Sequence, residues 1–120
     1  MSKRPDVLVI GGIWPQRALL RAQLIEEGYE VSAVDAWPIP RRYRLPGTTP
    51  RVLLIDLQGL PDPRAMLNEV PLVVPRDRVV VVTALGALPG DEVRRLGFNV
   101  VERPASIGQV VAATTKLLTG

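Results

Sequence analysis

Apolar residues in this chain follow two rhythms. Three short runs carry no polar position at all: Val7-Leu-Val-Ile10, Val52-Leu-Leu-Ile55 and Val79-Val-Val-Val82. Unbroken runs of this length predict strands buried on both faces, as in the centre of a parallel sheet. Elsewhere the apolar positions return every three or four residues. Leu20 and Leu24 mark one face of a helix predicted over Pro15 to Glu27, flanked by Leu19 and Ile25, with Arg17, Arg21, Glu26 and Glu27 outside. Pro15 suits the first turn, and Gly28 fits the residue just past the end. Ile107, Val110, Val111, Thr114, Leu117 and Leu118 give a last amphipathic helix, opened by Ser106 and Gln109 at capping-box spacing.

Weaker signals fill the gaps. Tyr29 to Asp35 and Phe98 to Glu102 read as the second and fifth strands. Asp62 and Pro63 start a short helix running to Val70, and another spans Asp91 to Leu96 before Gly97. Ala36 to Pro50 holds Pro38, Pro40, Pro46 and Pro50, so a regular helix is excluded there and at most one turn fits, around Arg41 to Leu45. Strand and helix thus alternate five times, with the second helix short or irregular. That order predicts an α/β fold: one domain over residues 1–120, a doubly wound five-stranded parallel sheet of flavodoxin-like order 2-1-3-4-5.

Arg51-Val-Leu-Leu-Ile-Asp56 is the centre of this plan, because an apolar strand ends there in a carboxylate. Ligands and chemistry gather at the carboxyl ends of strands in open parallel sheets, so Asp56 falls where a functional group belongs. Composition narrows the chemistry. There is no Cys and no His, which excludes disulfides, thiolate metal sites and imidazole catalysis. The apolar fraction of 47% argues against disorder. Apolar runs stay near about five residues, far short of a bilayer span. Met-Ser-Lys-Arg-Pro-Asp leads straight into a strand and does not resemble a signal peptide, so a soluble cytoplasmic protein is expected. The net charge of +3, with 13 Arg against 2 Lys, is too small and too scattered to predict a nucleic-acid surface. Its one cluster, Arg41, Arg42 and Arg44 beside Trp37 and Tyr43, reads first as a solvated loop whose aromatics cover the sheet edge, and second as a surface for nucleic acid or an acidic partner.

These positions together resemble the receiver domain of bacterial response regulators (CheY-like) over nearly the whole chain. The resemblance rests on Asp56 after the third strand, Thr83-Ala84 after the fourth, Gly97 before the fifth, Arg103-Pro104 after it, and Gly28-Tyr29-Glu30-Val31 leading into the second. It implies two-component signal transduction, in which the Asp receives a phosphoryl group from a histidine kinase. By the same resemblance the Thr83 hydroxyl would contact the phosphate, a Lys before the Pro would pair with it, and that peptide bond would be cis. Two acids after the first strand would hold Mg²⁺.

The departures shape the expectation. Gly11 and Gly12 stand at the acid-pair positions, Arg103 at the Lys, Val100 at an aromatic switch position, and Leu60 at a Pro, with Pro61 one place later. Mg²⁺ demands close to six oxygens in tight geometry. Asp56, one carbonyl and waters make a poor cage, and phosphoryl transfer relies on the metal to neutralise charge. The chain therefore reads as a degenerate pseudo-receiver without a cofactor. It is expected to be no enzyme, and to act by docking a protein partner, a histidine kinase or a downstream effector, with pairing to a second copy left open. Trp14 is expected to fill the space left by the metal. Two alternatives stand beside this. One is a phosphorylation-competent receiver with Asp56 as phosphoacceptor. The other is a small nucleotide-binding protein of Rossmann type, in which Gly11-Gly12 admits a pyrophosphate and Asp35 bonds a ribose, although Pro15 and Gln16 stand where a third glycine would.

Overall fold

The computed structural model describes residues 4–38 and 47–119. Five parallel strands form one sheet in the order β2-β1-β3-β4-β5: β1 (Val7–Gly11), β2 (Val31–Val34), β3 (Val52–Asp56), β4 (Val79–Val82) and β5 (Asn99–Val101). This is the predicted flavodoxin-like topology. The three unbroken apolar runs became β1, β3 and β4, and every residue of those strands is buried. The two weaker runs became the edges, where one side of a strand can face water.

Alternation along each strand sends side chains to two separate cores. Leu8, Ile10, Leu53, Ile55, Val79 and Val81 pack beneath α2 (Pro63–Glu69) and α3 (Gly90–Arg95) with Met66, Leu67, Val93 and Phe98. Val7, Val9, Val52, Leu54, Val80 and Val82 face α1 (Trp14–Glu26) and α4 (Ile107–Thr119), meeting Leu20, Leu24, Val110, Val111 and Leu118. The helices thus cover both faces, as double winding requires.

Local chemistry sets the helix ends. Asp62 caps α2, its carboxylate accepting from the Ala65 amide, with Pro63 next. Ser106 and Gln109 cap α4 reciprocally: the Gln109 amide donates to Ser106 Oγ, and the Ser106 amide donates to Gln109 Oε1. Gly28, at φ 97°, turns the chain out of α1. Element ends differ from the sequence expectation by one or two residues, and short 3₁₀ turns at Val70–Leu72 and Arg76–Arg78 extend the approach to β4.

At the opposite end of the sheet from Asp56, two arginines hold the end of α4. Arg51 donates to the Leu118 carbonyl and pairs with Asp6 at 3.0 Å. Arg78 donates to the Leu117 and Arg51 carbonyls. They satisfy carbonyls that a helix end leaves without partners and place positive charge against its dipole.

The crossover from β2 to β3 is described only at its ends. Trp37 there is half-buried, packs against the α2/α3 core and donates its indole N–H to Glu69 at 2.6 Å. The expected turn at Arg41 to Leu45, and Arg41, Arg42, Tyr43 and Arg44 themselves, lie outside the described residues. Among the described residues no helix is long and apolar enough to cross a membrane.

Candidate functional site

Asp56 ends β3 at the carboxyl edge of the sheet, with Gly11 beside it in register on β1 and Val82 on β4. The residue is only 2% exposed. A carboxylate this deep needs partners, because burying an uncompensated charge costs several kcal/mol or more. Arg103 supplies them. Its two terminal nitrogens each donate to one carboxylate oxygen, NH1 to Oδ1 and NH2 to Oδ2, both at 2.7 Å. The guanidinium fork matches a carboxylate's two oxygens and holds both at once. The Gln58 amide adds a third bond, to Oδ1 at 3.0 Å.

Thr83 fixes the arginine. Its carbonyl accepts a second bond from Arg103 NH1 at 2.9 Å, and its hydroxyl oxygen accepts from the Arg103 backbone amide at 3.0 Å. The Thr83 amide in turn donates to the Val101 carbonyl. The ends of β4 and β5 are thus tied together, and the Arg103–Pro104 peptide bond is cis, as the resemblance implied. The hydrogen bond to Asp56 pushes the Arg103 guanidinium further above its already high ordinary value. Charge attraction to Asp56 adds to this, and partial burial opposes it. The arginine stays positive at any working pH. Asp56, Thr83 and Arg103, named from sequence, therefore form one connected cluster.

Gly11 and Gly12, the acid-pair positions, lie beside it with different freedom. A Cβ built on Gly11 would sit 3.6 Å from Arg17 Cβ and 3.7 Å from Asp56 Cβ, which is ordinary contact. One built on Gly12 would lie 2.4 Å from the Gly59 carbonyl oxygen and 2.6 Å from its carbon. No side chain fits there unless backbone moves. Gly59 follows Asp56 by three residues and holds φ 77°, a conformation that favours glycine. The loops after β1 and β3 are therefore in backbone contact. Among the described residues no group of three or more acids or imidazoles could hold a metal ion. The residues present do not fit the Mg²⁺ site that the receiver fold implies.

Two expectations need correction. Trp14 does not fill space beside Asp56: it is 69% exposed. It opens α1 six residues before Leu20, about 120° around the helix from the buried face, so it points to solvent. Arg17, expected outside, is half-buried and donates NH1 to the Gly11 carbonyl at 2.6 Å. It precedes Leu20 by three residues, which places it over the end of β1. Charged residues on a predicted helix default to the outer face, and only the helix's seating on the sheet shows otherwise. Asp35 is exposed just beyond β2, and Gly12 is occupied with Gly59, so the Gly11-Gly12 turn serves loop packing. Val100 is half-buried against the α2/α3 core, and Leu60 is buried in it.

No family model matches the sequence, and no curated protein matches it. Solved structures do. The signal receiver domain of a LuxO-type repressor protein from Vibrio parahaemolyticus superposes with a TM-score of 0.75 at 20% identity, over 97% of this chain and 91% of that one. The signal receiver domain of a response regulator from Bermanella marisrubri gives 0.75 at 17% identity, over 98% and 99%. NtrX from Brucella abortus, solved in complex with ADP, gives 0.70 at 21% identity over 97% of this chain, which spans only 26% of that one. The fold of this chain is that of response regulator receiver domains.

Proposed function

We propose that this chain, built on the receiver fold, is a signalling module of two-component type that works by docking a protein partner and does not cycle through magnesium-dependent phosphorylation. One observation carries the reading: both oxygens of Asp56 are taken by Arg103 at 2.7 Å, in a bond pair that is almost wholly buried on the carboxylate side. A nucleophilic carboxylate must present an oxygen to an incoming phosphorus, and here both oxygens are already hydrogen-bonded to Arg103, a pairing that attack would have to displace or share.

The surroundings support it. The acids that would steer a divalent ion are glycines, and one glycine is closed against backbone. Val100 offers no aromatic ring to swing between inward and outward positions. A receiver switches by moving between two arrangements. A fork with three bonds, two to Asp56 and one to the Thr83 carbonyl, on a residue whose backbone amide is also held by the Thr83 hydroxyl, favours one of them. In that single arrangement the domain is a recognition surface. It is not an enzyme on this reading, and its output is the partner it holds, a kinase or an effector.

The test is chemical. The protein is incubated with acetyl phosphate and Mg²⁺, and its intact mass is measured beside that of Asp56→Asn. The proposal expects no phosphoryl adduct on either. A stoichiometric adduct on the parent that is absent from Asp56→Asn would overturn it in favour of a phosphorylation-competent receiver.

A further inference from the structure

The two glycines at the acid-pair positions are not equivalent losses. We infer that the mouth of the sheet is a metal-excluding site, in which Arg103 and Arg17 supply the positive charge a divalent ion would bring and the Gly12–Gly59 contact removes the room for one of its ligands. The inference rests on the proposed function and explains how that state is held.

Three observations converge. Arg103 neutralises Asp56 through both oxygens. Arg17 places a second guanidinium on the carbonyl of Gly11, the residue in register beside Asp56. One carboxylate and two guanidiniums leave this mouth with an excess of positive charge, which repels a divalent cation. The third is steric. At Gly11 an added Cβ meets only ordinary contacts, 3.6 Å at the nearest, so the backbone there leaves room for a side chain to begin. At Gly12 it meets the Gly59 carbonyl oxygen at 2.4 Å and its carbon at 2.6 Å, so main chain would have to shift, and the Ile13 side chain lies against Gly59 from the other loop. The loops after β1 and β3 are interlocked through Gly12, Ile13 and Gly59. Position 11 is a reversible loss. Position 12 is closed by the fold.

The charge and the interlock make separate predictions. Mn²⁺ is the probe, followed by the loss of its free electron paramagnetic resonance signal, with circular dichroism reporting the fold and Tm. The parent protein should show no saturable uptake up to millimolar Mn²⁺. Two variants are compared in a common Arg17→Ala/Arg103→Lys background, which removes one cation and loosens the other. Adding Gly11→Asp should keep the Tm of that background and give saturable Mn²⁺ uptake, lost again on Asp56→Asn. Adding Gly12→Asp should lower the Tm and give no uptake. Saturable uptake by the parent, abolished in Asp56→Asn, would overturn the inference. So would a Gly12→Asp variant that holds Tm and binds Mn²⁺, or a Gly11→Asp variant that binds none. These results are independent of phosphorylation: a parent that binds Mn²⁺ yet gains no phosphoryl group would refute metal exclusion and leave the docking reading standing.

Discussion

Replacing Arg103 by Met is the perturbation whose cost the geometry sets most directly. Met keeps much of the stem but removes two charge-assisted bonds to Asp56 and one bond to the Thr83 carbonyl. It leaves a carboxylate whose side chain is 3% exposed with the Gln58 amide as its remaining partner here. Removing one member of a fully buried ion pair costs about 3–5 kcal/mol. The Arg103 side chain is 25% exposed, so water can reach the vacated position and the cost falls below that range, to about 2–3 kcal/mol. At about 2.1 cal/mol/K per residue, a chain of this length loses roughly 4 °C of Tm per kcal/mol, so the variant should melt roughly 10 °C lower. The converse change, Asp56→Leu, leaves a guanidinium that can still find water and should cost less, about 1–2 kcal/mol. Combined as Asp56→Leu/Arg103→Met, the pair becomes an apolar contact and most of the loss should be recovered. Urea unfolding of the four proteins gives the coupling energy, expected near 3 kcal/mol in favour of the intact pair. An Arg103→Met cost below about 0.5 kcal/mol, the ordinary range of surface substitutions, or a coupling near zero, would refute the idea that this contact holds the mouth of the sheet.

Other predictions probe the supports. Thr83→Val removes the acceptor of the Arg103 backbone amide and should cost about 1–2 kcal/mol by chemical denaturation, while Thr83→Ser keeps the acceptor and costs less. Arg103→Lys keeps the charge but not the fork, so it should destabilise by about 1 kcal/mol, between the parent and Met. Arg78→Ala strips a donor from the Leu117 and Arg51 carbonyls and should speed amide exchange at the end of α4 while leaving exchange in β3 unchanged.

Most of the fold was legible in sequence because the central strands are buried on both faces and so appear as apolar runs with no ambiguity of register. The caps were legible for a similar reason: Ser106 with Gln109, and Asp62 with Pro63, act within a few residues of each other. Asp56, Thr83 and Arg103 could be grouped because each sits just past the end of a strand, and a parallel sheet gathers such ends. What escaped was tertiary. Nothing in the sequence marks that Gly12 meets the carbonyl of Gly59, since a glycine needed for space looks like one needed for a turn. Arg17 was assigned by polarity and Trp14 by its nearness in sequence to the site, and their positions on the helix reversed both expectations. Arg51 and Arg78 serve the end of a helix some forty or more residues away, a distance over which residue spacing carries no signal.

The central claim is that the Asp56–Arg103 cluster has one arrangement and no switch. The direct test is the amide NMR spectrum of the full chain with and without Mg²⁺ and beryllofluoride, a mimic of the phosphoryl group. The account predicts that the two spectra coincide. Shifts that begin at Asp56, spread through Thr83 and Arg103 and reach β5 and α4 would contradict it.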